Sequence, residues 1–192
     1  MMLMEKIRAF FQNIFDDFSD QDWQIVSSRL SRQEFQKKAL ILKKGQVENF
    51  VSFIEQGIVR YYIPRENKEI TFELTFANDF IGAYDSFLTR TPSVYHVEAI
   101  TRTTLWRLTY DDVQELYRTT ESGNLIGRLS SERLFLEKAR RELSLLNDTA
   151  EQRYLNLFTE QPEIIKKVPL QYIASYIGIT PQALSRIRKR IS

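Results

Sequence analysis

Gln182, Ser185, Arg186 and Lys189 recur at helical spacing near the end of a 192-residue chain. Together they offer an amide, a hydroxyl, a guanidinium and an ammonium group, the set that hydrogen bonds to base edges and phosphates require. Arg186 supplies the planar fork that can meet guanine O6 and N7 together, and Gln182 and Ser185 share its first two helical turns. Thr180, Arg188, Lys189 and Arg190 are better placed as phosphate partners, with Lys189 able to serve either role. From Glu163 to Ser192 the basic residues Lys166, Lys167, Arg186, Arg188, Lys189 and Arg190 face Glu163 alone, a local charge of about +5 in a chain whose formal net charge is +2. A basic run by itself is usually a solvated face, so its setting has to carry the argument.

That setting is the stretch VPLQYIASYIGITPQALSRIRKRIS, in which two short helical patterns, 171–177 and 180–191, meet at Gly178. Ile173, Ile177, Ile179, Leu184 and Ile187 fall where two crossing helices share a small core, and Ala174 permits close backbone approach. The second helix is expected to bury Leu184, Ile187 and Ile191. Gly178 suits the positive φ of a sharp turn, Thr180 suits an N-cap, and Pro181 sits where a missing N–H costs nothing. The spacing therefore predicts a helix-turn-helix whose outer face fits a major groove.

Composition removes other classes. The absence of cysteine excludes disulfides, thiolate zinc sites and cysteine-held iron–sulfur clusters, and the single histidine, His96, cannot build a metal cluster. His96 alternates with strand neighbours in Val94-Tyr95-His96-Val97, a pattern of a hydrogen-bonded structural residue rather than a haem ligand. No GxSxG, P-loop or dinucleotide fingerprint occurs, and Asp16-Asp17 and Asp111-Asp112 read as helix-start acids. No catalytic or metal site is expected. The apolar N-terminus is interrupted by Glu5, Lys6, Arg8, Asp16 and Asp17, so a soluble cytoplasmic protein without a membrane partner is expected.

Upstream of the reader, Ile7, Phe10, Phe11 and Ile14 repeat at helical spacing, and Ser19 with Asp22 forms a cap signal before Trp23, Val26 and Leu30. Between Phe35 and Arg107 the runs 39–42, 50–54, 58–63, 70–76, 94–100 and 103–108 read as short antiparallel strands, with Gly45 and Gly57 as punctuation and Pro64-Arg65-Glu66-Asn67 as a hairpin turn. After Asp112 the helical period returns, and Ser122, Leu125, Leu129, Glu132, Leu136, Ala139, Leu143 and Leu146 alternate by three and four. That is a coiled-coil seam, with Glu132 as a polar interruption. The alternative is that the seam lies on the β-domain. Three segments follow: 1–115, a β-roll sensor with N-terminal helices; 116–147, a dimerisation helix; and 148–192, the DNA-binding unit.

A roll, a long helix and a terminal helix-turn-helix, in that order, resemble the Crp/Fnr family of bacterial transcription regulators. The residues that carry the likeness are Gly45 and Gly57, Asp79-Phe80-Ile81-Gly82 at the start of the nucleotide-binding cassette, and Ile173 to Gly178 running into Leu184-Ser185-Arg186-Ile187. The closing GITPQALSRIRKR looks most like members found in the Bacteroidetes. The resemblance implies an α+β chain with an N-terminal double-stranded β-roll of cyclic-nucleotide-binding type. It also implies a homodimer on an inverted-repeat operator, with duplex DNA and RNA polymerase as partners. The cassette is degenerate: Ala83 follows Gly82 where the family's cyclic-nucleotide binders carry glutamate, and Ser93-Val94 stand where arginine and serine would hold the phosphate. Cyclic AMP is therefore not the expected effector, and a small apolar molecule fits the aromatic roll better. The family's β-hairpin wing has no counterpart before Ser192. A competing reading keeps the roll as a ligand-binding or protein-interaction module without DNA binding.

Overall fold

The computed structural model describes residues 2–14 and 18–191; Asp16, Asp17, Ser192 and the side chains of Met2, Leu3, Met4 and Ile14 lie outside that description. Two helices, α1 (Met2–Ile14) and α2 (Asp20–Arg29), lead into β1 (Ser31–Phe35), β2 (Leu40–Leu42), β3 (Phe50–Gln56), β4 (Ile58–Arg65), β5 (Lys68–Phe76) and β6 (Phe80–Ile81). A short helix α3 (Tyr84–Thr89) precedes β7 (His96–Ala99) and β8 (Thr103–Thr109). The remainder is helical: α4 (Tyr110–Thr119), α5 (Gly123–Asn147), α6 (Ala150–Glu160), α7 (Pro162–Lys167), α8 (Leu170–Tyr176) and α9 (Pro181–Ile191).

The strands form two four-stranded antiparallel sheets, ordered β1-β8-β3-β6 and β2-β7-β4-β5, that face each other as a roll. Between them lie Ile54, Val59, Tyr61, Val97 and Leu105, all buried, as alternation along half-buried strands requires. The expected hairpin closes β4 on β5 with Arg65 opposite Lys68, leaving Glu66-Asn67 as the turn. Gly57, between β3 and β4, has φ +118°, and an added Cβ would stand 2.3 Å from the Thr103 hydroxyl oxygen, so only glycine fits that turn.

Two expectations about the strands need correction. Ser31–Phe35 pairs residue by residue with β8, from Ser31 opposite Arg107 to Phe35 opposite Thr103, although SRQEF is almost wholly exposed and carries no period-two signal. Charged edge strands of this kind resist pairing with other chains, which is why hydrophobic alternation does not find them. The strand expected from Val94 begins instead at His96. Ser93 makes a turn there, its hydroxyl donating to the Tyr95 carbonyl at 2.9 Å, and Val94 is left 62% exposed.

The 25 residues of α5 span about 38 Å at 1.5 Å per residue. Leu116 to Thr119, which opened the expected dimerisation segment, belong to α4. Ser19 caps α2 by accepting from the Asp22 N–H at 3.0 Å, and the buried Asp22 carboxylate in turn accepts from Ser122, both N–H and hydroxyl. This contact ties α2 to the start of α5. One face of α5 lies on the roll: Ile126 is buried, Ser131 meets the Tyr84 hydroxyl, Arg133 reaches Asp79 at 2.6 Å, and Lys138 pairs with Glu73.

Candidate nucleic-acid interface

The terminal helices α8 and α9 form the expected pair. Gly178 takes φ +80°, and Thr180 caps α9, its hydroxyl accepting from the Ala183 N–H at 3.2 Å. Ile173, Ala174, Ile177, Leu184 and Ile187 are buried in one cluster, with Ile179 packed against it. Ile191 is a correction: it is 38% exposed rather than buried, because it stands one turn past Ile187, beyond the end of the shared core. Gln182, Ser185, Arg186 and Lys189 project from the opposite side of α9, exposed and without a side-chain partner among the described residues, while Arg188 and Arg190 are also exposed. Arg190 pairs with Glu151 of α6, so a phosphate would have to compete with that carboxylate.

The α8–α9 pair is seated by contacts the sequence pattern did not reveal. Arg141 of α5 lies over the Tyr176 ring at 3.8 Å and donates to the Tyr176 carbonyl at 2.6 Å, while Arg153 of α6 donates through Nε to the Ile177 carbonyl at 2.9 Å. Both guanidinium groups meet the unpaired carbonyls and negative dipole end of α8. The Ser175 hydroxyl accepts from the Thr71 N–H at 2.8 Å and donates to the Glu69 carbonyl at 2.9 Å, joining α8 to β5. Arg60 of β4 is 2% exposed; it meets Glu98 at 2.9 Å and Glu69, and stacks between the rings of Tyr62 and Tyr172. Ile58 and Ile100 of the roll belong to the same buried cluster as Ile173 and Leu184. Lone arginines between apolar strand or helix positions were the only signal, and they do not name a partner.

On the dimer seam, Leu125, Leu129 and Ala139 are half-buried, and Glu132, Leu136 and Leu143 are exposed. Leu136, Leu143 and Leu146 are 52%, 57% and 75% exposed, on the side of α5 opposite Ile126 and Leu134. Phe135 beside them is 69% exposed. The alternative that the seam rests on the roll is thereby removed for its C-terminal half. Glu132 pairs with Arg128 one turn back at 2.6 Å.

In the cassette the N–H groups of Gly82 and Ala83 are already engaged. The Gly82 N–H donates to the Tyr61 hydroxyl at 3.1 Å and the Ala83 N–H to the Glu48 carboxylate at 3.3 Å. Glu48 is 3% exposed, also accepts from the Phe50 N–H at 3.0 Å, and has its pKa raised by burial, against the opposing pull of those N–H donors and of Arg107. Arg90 turns to the Glu48 carbonyl at 2.6 Å and to Asn49, and lies over the Tyr110 ring at 4.2 Å. Tyr61, Phe72 and Tyr95 fill the roll beside it, with Phe72 and Tyr95 ring centroids 4.9 Å apart. His96 accepts from the Lys44 N–H through Nδ1 at 3.0 Å and faces Tyr62; its pKa is lowered by burial and then by Lys43. Among the described residues no His, Cys, Asp and Glu group is arranged to hold a metal, and no helix is long and apolar enough to cross a membrane.

The cyclic nucleotide-binding domain model matches residues 32–139. FixK2 from Bradyrhizobium japonicum superposes with TM-score 0.71 at 15% identity, over 84% of this chain and 84% of that one. The c-di-GMP responsive global regulator CLP of Xanthomonas campestris gives TM-score 0.69 at 17% identity, over 90% of this chain and 91% of that one. The cAMP-bound PfPKA-R structure gives 0.53 at 19% identity, over 60% of this chain but only 42% of that one. At such identities these likenesses speak to the fold, a roll followed by a long helix and further helices. No curated protein matches the chain.

Proposed function

We propose, for a chain that belongs to the cyclic nucleotide-binding domain family, a sequence-specific DNA-binding transcription regulator of Crp/Fnr type, acting as a homodimer on an inverted-repeat operator. The observation that carries this reading is the α9 surface: a capped helix, buried on Leu184 and Ile187, presenting Gln182, Ser185, Arg186 and Lys189 to solvent. Two such helices related by a two-fold axis would enter successive major grooves, reading half-sites about 10 bp apart centre to centre. Arg186 is the residue for a guanine edge, with Gln182 and Ser185 beside it; Thr180, Arg188, Lys189 and Arg190 hold phosphates and set register. The α5 seam supplies the two-fold axis, through Leu125, Leu129, Leu136, Ala139 and Leu143 with Glu132 fixing register. RNA polymerase is the partner such a regulator acts upon.

In this reading the roll does not take cyclic AMP. A cyclic phosphate needs a cation or several free N–H donors, and at Gly82 and Ala83 those donors already serve Tyr61 and Glu48. No residue is assigned a catalytic, metal or haem role. The test is selection of bound sequences from a random duplex pool with the full chain. Enrichment of a two-fold symmetric motif is the expected result; recovery of unenriched sequence, with binding lost at moderate salt, would leave only a basic surface and favour the module without DNA function.

A further inference from the structure

A cavity of about 190 Å³ lies under α1, between the β3–β6 side of the roll and the inner face of α5. Its walls include Phe10 and Phe11 from α1, Phe80 from β6, and Ile126 and Leu134 from α5. Phe80 meets Phe10 and Phe11 at centroid distances of 5.0 and 5.5 Å in tilted geometry, so ring faces and edges both border the space. At Gly127 an added Cβ would stand 2.7 Å from the Tyr117 ring, so glycine there lets Tyr117 close against α5, whereas Ser130 lines the cavity where a larger side chain would fill it. The charged groups at its edge are already matched, Arg133 with Asp79 and Glu73 with Lys138. A charged ligand would have to break one of those pairs, whereas an apolar one would not.

Inside the roll Tyr61, Phe72 and Tyr95 pack ring against ring, with centroids 4.9 to 6.1 Å apart. An engineered apolar cavity of about 150 Å³ in another protein binds benzene, which sets the scale for what 190 Å³ can take. We propose that this cavity is a binding site for an uncharged aromatic molecule of one ring or two fused rings. The ligand would touch Phe80, two residues before Gly82, and also Ile126 and Leu134 of the helix whose Arg141 seats the reader. Filling the cavity would then bias the position of α5 against the roll. That consequence rests on the regulator reading; binding itself does not.

Toluene is the probe for calorimetry on the full chain without DNA, with methyl NMR to locate it. Expected results are one site per chain, shifts centred on Ile126 and Leu134, and at least tenfold weaker binding in Ser130→Leu, with Ser130→Ala unchanged. Leu134→Phe serves as the second filling variant if Ser130→Leu does not fold. Absence of heat and of methyl shifts in the unaltered chain would overturn the site, as would shifts centred on the α5 seam or equal affinity in a folded filling variant. Duplex binding measured in parallel keeps the two readings apart: toluene binding without operator binding removes the regulator, and operator binding without toluene binding removes only the site.

Discussion

The cassette at Gly82 and the outer face of α9 are both places where this kind of chain would meet phosphate oxygen, and they are built in opposite ways. In the cassette the donors at Gly82, Ala83 and Arg90 have internal partners: Gly82 with Tyr61, Ala83 with Glu48, Arg90 with Asn49 and the Glu48 carbonyl. On α9 the polar side chains Gln182, Ser185, Arg186 and Lys189 stand in solvent over a buried aliphatic base. A donor that is already paired must give up one hydrogen bond to gain another, so its net contribution to ligand affinity is small. Residue type alone therefore does not mark a phosphate site. What marks it is whether the fold has left the donor something to bind.

The largest expected effect tests whether the α9 face works in pairs. Replacing Leu129 and Leu136 together with glutamate should give monomers by light scattering. Operator affinity should then fall by about 10²–10⁴-fold, the gain that two linked sites provide over one. A stable dimer after both changes would remove this seam. Next, Arg186→Ala should cost about 1–3 kcal/mol per half-site and relax preference at one base position. Undiminished preference across operator variants would take Arg186 out of the reader.

The cassette half of the contrast is sharpened by cyclic AMP calorimetry on the unaltered chain and on Glu48→Gln. Both should bind no better than about 1 mM, or −4 kcal/mol, and micromolar affinity in either would reverse the reading. Glu48→Gln also has a pH signature. A carboxyl whose pKa is higher folded than unfolded contributes stability below its unfolded value that is lost as pH rises through the folded value. The variant should therefore gain stability relative to the unaltered chain as pH rises above the ordinary carboxylate range, in denaturant melts at a series of pH values. The smallest effect concerns the exposed Arg190–Glu151 pair. Glu151→Gln should raise affinity for all duplexes alike, whereas Arg190→Ala should lower it and flatten the salt slope by about one.

Legibility was uneven along the chain, for reasons that particular residues make plain. The α8–α9 pair is legible because its instructions are local: Gly178 for the turn, Thr180 for the cap, and Leu184 with Ile187 for the buried stripe. Most roll strands were legible from alternating apolar residues. β1 was not, since an exposed edge strand has no buried face to impose a period, and Ile191 continued the stripe in sequence after the core beneath it had ended. Ser93 and Val94 are legible as departures in the cassette, but the role of Glu48 is not, because nothing around it in sequence marks an acid as buried.

By itself the sequence determined the α+β order of elements, the turn between α8 and α9, the exposed polar face of α9 and the seam period on α5. These follow from dihedral preference, capping and side-chain period, all of which act within a few residues. Only the tertiary structure decided that Glu48 reaches the Ala83 N–H from 35 positions away and that Arg141 and Arg153 seat the end of α8. It also placed an apolar space under α1, between the roll and α5. A side chain's partner depends on how sheets and helices close over it, and that closure is a property of the whole packed chain.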